Sequence, residues 1–294
     1  MAAVRTDMAW VPATTFRMGS DAHYPDEAPV REVAVDAFSI DRHQVTNRQF
    51  AAFVAETGYR SVAERPLDPA AFPGAPAENL VPGSMVFVGT SRPVDLRHLA
   101  QWWRWTPGAS WRAPEGPGST VDGREEHPVV HVGYEDAERY AAWAGGALPT
   151  EAEWELAARG GLDGAAFTWG EDPERAGQRL ANYWHGDFPW RAEPGYGTTT
   201  RVGSFPPNGH GLFDMAGNVW EWTRDWYGGS ERASLDPSQP QFAVPRKIVK
   251  GGSFLCADEY CRRYRPAARR PQAVDTGMSH LGFRCVDTAP AGAR

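Results

Sequence analysis

The sequence predicts a single, irregular α+β domain with little regular secondary structure and many loops. Its 31 glycines and 25 prolines make up nearly one residue in five of the 294, and both residue types favour turns. Thirteen tryptophans offer the large buried apolar area that can hold such loops together. Hydrophobic residues at 41% and charged residues at 23% are typical of a folded chain. We predict one domain over residues 1–287 and a flexible tail over 288–294.

The charge balance and the lack of long apolar runs argue against several classes of protein. Thirty Lys and Arg against 37 Asp and Glu give a net charge of −7, whereas nucleic-acid and anionic-membrane binders need a basic face. No stretch approaches the roughly 18 apolar residues of a spanning helix, and the N-terminus lacks the apolar region of a secretion signal. With three cysteines, the chain suits a reducing compartment. We expect a cytoplasmic monomer that binds neither nucleic acid nor membrane.

The first 60 residues predict short strands followed by a helix. Residues 8–40 alternate short apolar runs with turns, as in a strand-rich segment. The first helix begins after Thr46, because Thr46 and Gln49 form a T-x-x-Q capping box, and it ends at Gly58.

The middle of the chain predicts an irregular segment, one strand and two further helices. Residues 61–126 are rich in Pro and Gly, and the sequence HPVVHV at 127–132 predicts a strand. Its two histidines are interpreted as structural because no third metal ligand lies nearby. Apolar spacing predicts a helix through Ala137 and Ala144. A second capping box, T-x-x-E, starts another helix after Thr150.

Two cysteines five positions apart, Cys256 and Cys261, form the candidate reactive centre. A helix or a strand would point them in different directions, so only a turn through 257–260 brings both sulfurs together. Two thiolates alone make a poor zinc site but suit a soft, low-coordinate ion such as Cu(I). Two unrelated buried cysteines, or a redox pair, account for the spacing equally well. Nearby arginines would lower the pKa of the thiols: Arg262, Arg263, Arg265, Arg269 and Arg270.

Motifs along almost the whole chain resemble the sulfatase-modifying factor family, the formylglycine-generating enzymes. They include FRMGSD, VTNRQFAAFVAETGY, LPTEAEWELAARGG, GLFDMAGNVWEWT, GGSFLC-x4-CRRYR and LGFRC. The resemblance implies a C-type-lectin-like fold. It also implies an oxidoreductase that acts on a sulfur group with dioxygen as acceptor. Such an enzyme converts a cysteine in a C-x-P-x-R segment of an unfolded sulfatase to formylglycine, uses a thiol reductant and releases hydrogen sulfide.

The same resemblance implies roles for single residues. Cys256 and Cys261 would hold Cu(I), and Ser253 would complete the catalytic set by forming a hydrogen bond at the reacting centre. The substrate pocket would be formed by Trp220, Tyr260, Arg269 and His280. The third cysteine, Cys285, is expected to be a buried bystander.

The family resemblance further implies structural calcium. One site would use oxygen atoms of Asp214, Gly217, Val219 and Glu221, which are the hard ligands that Ca²⁺ prefers. A weaker second site would use Asn182, Tyr183, Glu193 and Tyr196. It is weaker because Pro194 stands where the family carries an Asp.

Two other functions compete with this enzyme at the sequence level. One is a lectin-like paralogue with the same fold and no catalysis, and the other is a protein that only binds copper. Both cysteines are present, which favours the enzyme over the paralogue, and turnover would distinguish the enzyme from a copper carrier.

Overall fold

Thirteen short strands and three helices make up the regular structure of the computed structural model, which describes residues 7–71, 74–174, 177–238 and 244–287. The helices are α1 Asn47–Thr57, α2 Tyr134–Trp143 and α3 Glu151–Arg159. The strands are β1 Met8–Val11, β2 Thr14–Met18, β3 Arg31–Val35, β4 Phe38–Asp41, β5 Gly83–Phe87, β6 Trp103–Pro107, β7 Gly186–Asp187, β8 Arg191–Ala192, β9 Trp220–Trp226, β10 Arg246–Lys250, β11 Arg269–Ala273, β12 Leu281–Gly282 and β13 Val286–Asp287.

Capping boxes fix the beginnings of α1 and α3, as the sequence predicts. The Thr46 N–H donates to Gln49 Oε1 at 2.8 Å, and the Gln49 N–H donates back to Thr46 Oγ1 at 3.3 Å. Thr150 forms the same reciprocal pair with the third residue of α3. Gly58 ends α1 with a φ of 68°, in the left-handed region that glycine adopts at low cost.

Two sheets and three hairpins connect distant parts of the chain. The larger sheet has the order β11-β10-β9-β12, in which β12 runs parallel to β9 and the other pairs are antiparallel. The second sheet has the order β1-β4-β13, and the hairpins are β2-β3, β5-β6 and β7-β8. The parallel pairing is important for the site, because it holds the residues just before β12 beside the start of β9.

Large aromatic side chains fill the space between these short elements. One cluster packs α1 and α2 against β9 and β10, and a second lies under α3. A third cluster is rich in aromatic residues and lies under loops: Trp102, Trp184, Phe188, Phe254, Leu255 and Ala257. The tryptophan-rich composition therefore supports an irregular backbone, as the sequence predicts.

The predicted strand at 127–132 is wrong. The segment forms only an isolated bridge between Pro128 and Thr46, and His131 has a φ of 60°. This left-handed conformation interrupts the extended chain. Both histidine rings contact protein groups: His127 Nδ1 lies 3.0 Å from Thr199 Oγ1, and His131 contacts Ser84 and a backbone carbonyl.

Two further expectations concern the chain's ends and its relation to membranes. The predicted tail at 288–294 lies outside the described residues. Within the described ranges, no helix has the length and apolar character needed to cross a bilayer.

A two-cysteine cavity as the candidate active site

The loop between β10 and β11 brings the two cysteines together. A turn closes when the Cys261 N–H donates to the Ala257 carbonyl at 2.7 Å, which leaves the Sγ atoms of Cys256 and Cys261 only 3.4 Å apart. That separation far exceeds the roughly 2.05 Å of a disulfide bond, and both thiols are free and buried. The loop needs glycine at its start, since a Cβ on Gly252 would lie 2.9 Å from the Tyr264 backbone.

The two thiols form part of the wall of a narrow, aromatic-rich cavity of about 10 Å³, which is roughly the space of one water molecule. Tyr260 stacks on Phe188 with ring centroids 4.6 Å apart, and Trp103 meets the His280 ring edge-on at 4.8 Å. Such walls exclude water and strengthen electrostatic interactions inside. The lining residues are Trp102, Trp103, Phe188, Trp220, Ser253, Leu255, Cys256, Tyr260, Cys261, Arg270 and His280.

The two thiols differ in acidity because they share one hydrogen bond. The hydrogen bond from Cys256 lowers the pKa of Cys261, and the charges of Arg270 and Arg263 add to the shift. Burial, together with the hydrogen bond to Cys261, raises the pKa of Cys256. The pair therefore favours a thiolate at Cys261 and a thiol at Cys256, so that one sulfur is ready to act as a ligand or a nucleophile.

A neutral Ser–His pair lies in the same cavity. Ser253 Oγ is 3.0 Å from His280 Nδ1 and accepts a hydrogen bond from the Leu255 N–H at 3.3 Å. Burial lowers the pKa of His280, so its ring is neutral near pH 7. The Trp220 N–H donates to the His280 carbonyl at 2.8 Å, next to the parallel pairing of β12 with β9. This pairing brings the end of the chain to the cavity.

Six of the seven residues predicted for catalysis or substrate binding line this cavity, and Arg269 does not. Arg269 Nε lies 2.8 Å from Glu151 Oε1, and its Nη1 donates to the Asp26 carbonyl at 3.3 Å. Its neighbour Arg270 lines the cavity instead. Adjacent residues of a strand point to opposite faces, and both arginines belong to β11. The placement of Arg269 in the pocket is therefore corrected to Arg270.

Sequence reasoning missed part of the cavity wall. Trp102 and Trp103 come from the irregular segment, and Phe188 follows the short strand β7. No periodic pattern in those segments indicates which aromatic residue faces the cysteines. The alternation of side chains along β11 is the one signal that could have separated Arg270 from Arg269.

A family model described as "Sulfatase-modifying factor enzyme 1-like domain" matches residues 2–289. The chain belongs to the sulfatase-modifying factor family. A formylglycine-generating enzyme from Mycobacterium tuberculosis is 51% identical, covering 98% of this chain and 99% of the relative. Another, from Thermomonospora curvata, is 47% identical over 95% of this chain and 92% of the relative.

A solved structure supports the predicted fold class. PvdO from Pseudomonas aeruginosa superposes with a TM-score of 0.60 at 25% sequence identity, covering 97% of each chain. The irregular, loop-rich α+β fold of the sulfatase-modifying factor family is thereby confirmed.

The surroundings of the first predicted calcium site, at Asp214, Gly217, Val219 and Glu221, do not fit a cation. The Glu221 carboxylate accepts hydrogen bonds from Arg284 Nε and Trp154 Nε1, both at 2.7 Å, and from Arg284 Nη2 at 2.8 Å. Gln44 Nε2 donates to Glu221 Oε1 at 3.0 Å and to the Val219 carbonyl at 3.2 Å. The Asp214 carboxylate accepts from the Gly203 N–H at 2.7 Å, so three of the four expected ligand groups already face N–H donors.

The weaker predicted calcium site keeps one free ligand atom. Asn182 Oδ1 is buried and has no hydrogen-bond partner among the described residues, which fits an oxygen ligand. Glu193 is instead paired with Arg179, with 2.6 Å between Oε2 and Nη1. Tyr183 stacks on Tyr264 with ring centroids 4.0 Å apart. In the part of the chain that the structure describes, no three His, Cys, Asp or Glu side chains are grouped to hold a metal.

Proposed function

We propose that this protein converts a cysteine in a C-x-P-x-R segment of an unfolded sulfatase into Cα-formylglycine. The observation that carries the proposal is the pair of buried free thiols, 3.4 Å apart, in the wall of a cavity that also holds Ser253 and His280. The family members that are about half identical to this chain are formylglycine-generating enzymes, which supports the proposal.

The donor set fits Cu(I). The cavity offers two sulfurs and no carboxylate among its described lining residues, and soft thiolate ligands select copper in that state. Cys256 and Cys261 would hold the ion, which when bound supplies the activation of dioxygen.

The overall reaction balances with a thiol reductant as the second electron donor. The substrate cysteine, one dioxygen and two reductant thiols give the aldehyde, hydrogen sulfide, one disulfide and one water. Dioxygen gains four electrons, two from the substrate and two from the reductant. The thiol reductant is therefore required by stoichiometry.

The protein's own residues bind the peptide, exclude water and hold protons. The aromatic walls formed by Trp102, Phe188 and Tyr260 would cover the apolar parts of an extended peptide. Ser253 Oγ, held by the Leu255 N–H and by His280, presents a hydroxyl group beside the sulfurs. Because burial keeps His280 neutral, the Ser253–His280 pair can orient an incoming thiol by hydrogen bonding.

A peptide assay tests the proposal. The Cu(I)-loaded protein is incubated in air with a reductant and a C-x-P-x-R peptide, and the peptide mass is followed. We expect conversion to the aldehyde, at least a 100-fold loss in Cys256→Ser and in Cys261→Ser, and retained activity in Cys285→Ala. Cys285 is a matched control because it is buried but does not line the cavity.

Other outcomes favour the competing functions. Tight Cu(I) binding with no conversion of any peptide would indicate a copper-binding protein. Absence of both copper binding and conversion would indicate a paralogue that keeps only the fold.

A further inference from the structure

The arginines near the two cysteines differ in their partners. Four of them have a carboxylate partner: Arg262 with Asp258 at 3.3 Å, Arg263 with Asp26 at 3.7 Å, Arg265 with Glu27 at 2.8 Å and Arg269 with Glu151 at 2.8 Å. Arg270 has neither an ion pair nor a side-chain hydrogen bond with any described residue. It is also the one member of this group of five that lines the cysteine cavity.

The charge of Arg270 lowers the pKa of Cys261, but no carboxylate among the described residues pairs with its guanidinium. The described cavity wall contains no Asp or Glu, and the side chain is half-buried. A guanidinium remains charged at any ordinary pH and presents several N–H donors in one plane. Burial lowers the pKa of His280, and the charge of Arg270 contributes to that shift, which indicates that the two groups are close. No described group accepts a hydrogen bond from Arg270, so the N–H donors of its guanidinium remain available to an anionic ligand.

We propose that Arg270 binds a carboxylate that enters the cavity beside the reacting cysteine, so that it acts as a specificity-determining residue. The natural source is an acidic side chain flanking the cysteine of the substrate segment; the thiol reductant is the other molecule that could bring a carboxylate. That the carboxylate belongs to a sulfatase peptide rests on the proposed function. That Arg270 binds a carboxylate does not. A guanidinium and a carboxylate form paired, charge-assisted hydrogen bonds, which are among the strongest in proteins.

Binding of unreactive peptides tests this without turnover. In each peptide the reacting cysteine is replaced by Ser. One pair of peptides carries Asp or Asn at the position before this Ser, and a second pair carries Asp or Asn at the position after it. At one of the two positions, we expect the wild type to bind the Asp peptide about tenfold more tightly than the Asn peptide. Arg270→Gln should bind the two equally. Arg262→Gln removes the same charge outside the cavity and should keep the preference.

A second arm identifies the source of the carboxylate. Conversion is measured with 3-mercaptopropionate and with cysteamine, which differ in carrying a carboxylate or an ammonium group. A preference for 3-mercaptopropionate that disappears in Arg270→Gln would assign the carboxylate to the reductant. Equal Asp and Asn binding together with equal reductant rates in the wild type would overturn the proposal. If the wild type prefers the Asp peptide but converts no cysteine peptide to the aldehyde, the carboxylate-binding role of Arg270 stands and the proposed function is refuted.

A separate observation concerns the calcium site that does not fit. Gln44 is fully buried, and its Nε2 faces three oxygens: Glu221 Oε1 at 3.0 Å, the Val219 carbonyl at 3.2 Å and the Asp214 carbonyl at 3.4 Å. Two of these oxygens, Glu221 Oε1 and the Val219 carbonyl, are expected ligand atoms, and the Asp214 carboxylate accepts a hydrogen bond from the Gly203 N–H at 2.7 Å instead. The amide group of Gln44 therefore occupies the space between two of the four expected ligand atoms.

The orientation of the Gln44 amide is fixed by the backbone. The Thr200 N–H donates to Asn218 Oδ1 at 3.0 Å, so that Asn218 Nδ2 must face the other way, towards Gln44 Oε1 at 3.0 Å. Gln44 Oε1 is then committed to Asn218, and Gln44 Nε2 to the three oxygens. Rotating either amide by 180° would set a donor against a donor.

We infer that the side chain of Gln44 takes the place of calcium in this protein, cross-linking the loop before β9 by hydrogen bonds instead of by a metal. Calorimetry in EGTA and in millimolar calcium provides the test, with Gln44→Glu as the informative variant. The wild type should show no calcium-dependent shift in Tm from this site. Gln44→Glu sets a carboxylate against Glu221, so that it should lose stability in EGTA and regain it with calcium.

Direct metal analysis covers the case in which Gln44→Glu does not fold. After dialysis against calcium, one equivalent bound by the wild type and lost in Asp214→Asn would overturn the inference. If the Asp214→Asn variant still binds calcium, the ion lies at another site, for example at Asn182, and the inference about Gln44 stands. Failure of calcium to stabilise a folded Gln44→Glu protein would also contradict the inference.

Discussion

Two arginines in the C-terminal part of the chain, Arg270 and Arg284, have opposite surroundings. Arg284 is fully buried, forms two hydrogen bonds with Glu221 and donates to the Phe213 carbonyl at 2.9 Å. Arg270 lines the cysteine cavity, half-buried and without a described partner. A buried charge whose donors are all used holds the fold together, whereas one left without a partner in a cavity is available to a ligand.

The contrast extends to the regions around the two residues. We call Gln44, Trp154, Glu221 and Arg284 the Glu221 network, because all of them form hydrogen bonds with that carboxylate. The cysteine cavity instead holds two cysteines without a disulfide bond, a neutral histidine and a guanidinium with no carboxylate partner among the described residues. The network is therefore expected to control stability, and the cavity to control activity.

The largest change in stability is expected from Arg284→Met, which breaks the network. Removing one partner leaves the Glu221 carboxylate buried without its counter-charge, and such a loss costs about 3–5 kcal/mol. Chemical denaturation would measure the free energy of unfolding. A loss below about 1 kcal/mol would show that the network does not carry the stability assigned to it.

His131 extends the comparison to pH. Burial lowers the pKa of this histidine from 6.5 to about 4, while Ser84 Oγ and the Pro114 carbonyl lie 2.8 Å from its two ring nitrogens. The fold favours the neutral ring, so its contribution to stability is complete above pH 6.5 and is lost as the pH falls through 4. Over that window the contribution amounts to roughly 3 kcal/mol.

The measurement compares unfolding free energies of the wild type and His131→Asn from pH 7 to pH 4. Asn tolerates the left-handed φ at this position, so the variant should lose less stability on acidification. Asp136 and Asp214 have pKa values raised to about 6 by burial, and their contributions are lost in the opposite direction, as the pH rises. Because both aspartates are present in both proteins, their contributions cancel in the comparison. Parallel curves of unfolding free energy against pH for the two proteins would contradict the prediction.

A smaller effect is expected at the cap of α3. Thr150→Ala removes the acceptor of the Glu153 N–H, which lies 3.1 Å from Oγ1, and should cost about 1 kcal/mol. Thr150→Ser keeps the oxygen and serves as the control in thermal unfolding. Equal losses in both variants would mean that the methyl group, and not the cap, stabilises the helix.

The smallest effect on stability is expected from Arg270→Met. Since no described group pairs with this guanidinium, its removal should change the free energy of unfolding by no more than about 0.5 kcal/mol. Measured beside Arg284→Met, it gives the same substitution in the two regions. A loss comparable to that of Arg284→Met would remove the distinction between them.

The parts of the structure that depend on neighbouring residues could be predicted from the sequence. The starts of α1 and α3 follow from capping boxes that span four residues each. The turn through 257–260 followed from the spacing of the two cysteines, and motif resemblance located Ser253, Trp220 and His280.

The parts that depend on distant contacts could not be predicted. Nothing near Trp102 indicates that it faces a tyrosine far along the chain, at position 260, with 5.6 Å between ring centroids. The partner of Glu221 was missed for the same reason, since Arg284 lies 63 residues away. The sequence prediction placed Arg269 in the cavity, one position away from Arg270. In a strand, a shift of one position moves a side chain to the opposite face of the sheet.

The sheet that joins β1, β4 and β13 also constrains how the chain folds. Val286 pairs with Ile40, and Ala9 pairs with the same residue from the other side. The first and last strands of the domain thus share one neighbour, and β12, just before β13, completes the cavity beside β9. During synthesis this sheet stays open until its final strand leaves the ribosome. Closure over so long a sequence separation is slow, so the pairing of β13 with β4 is expected to be a late step in folding.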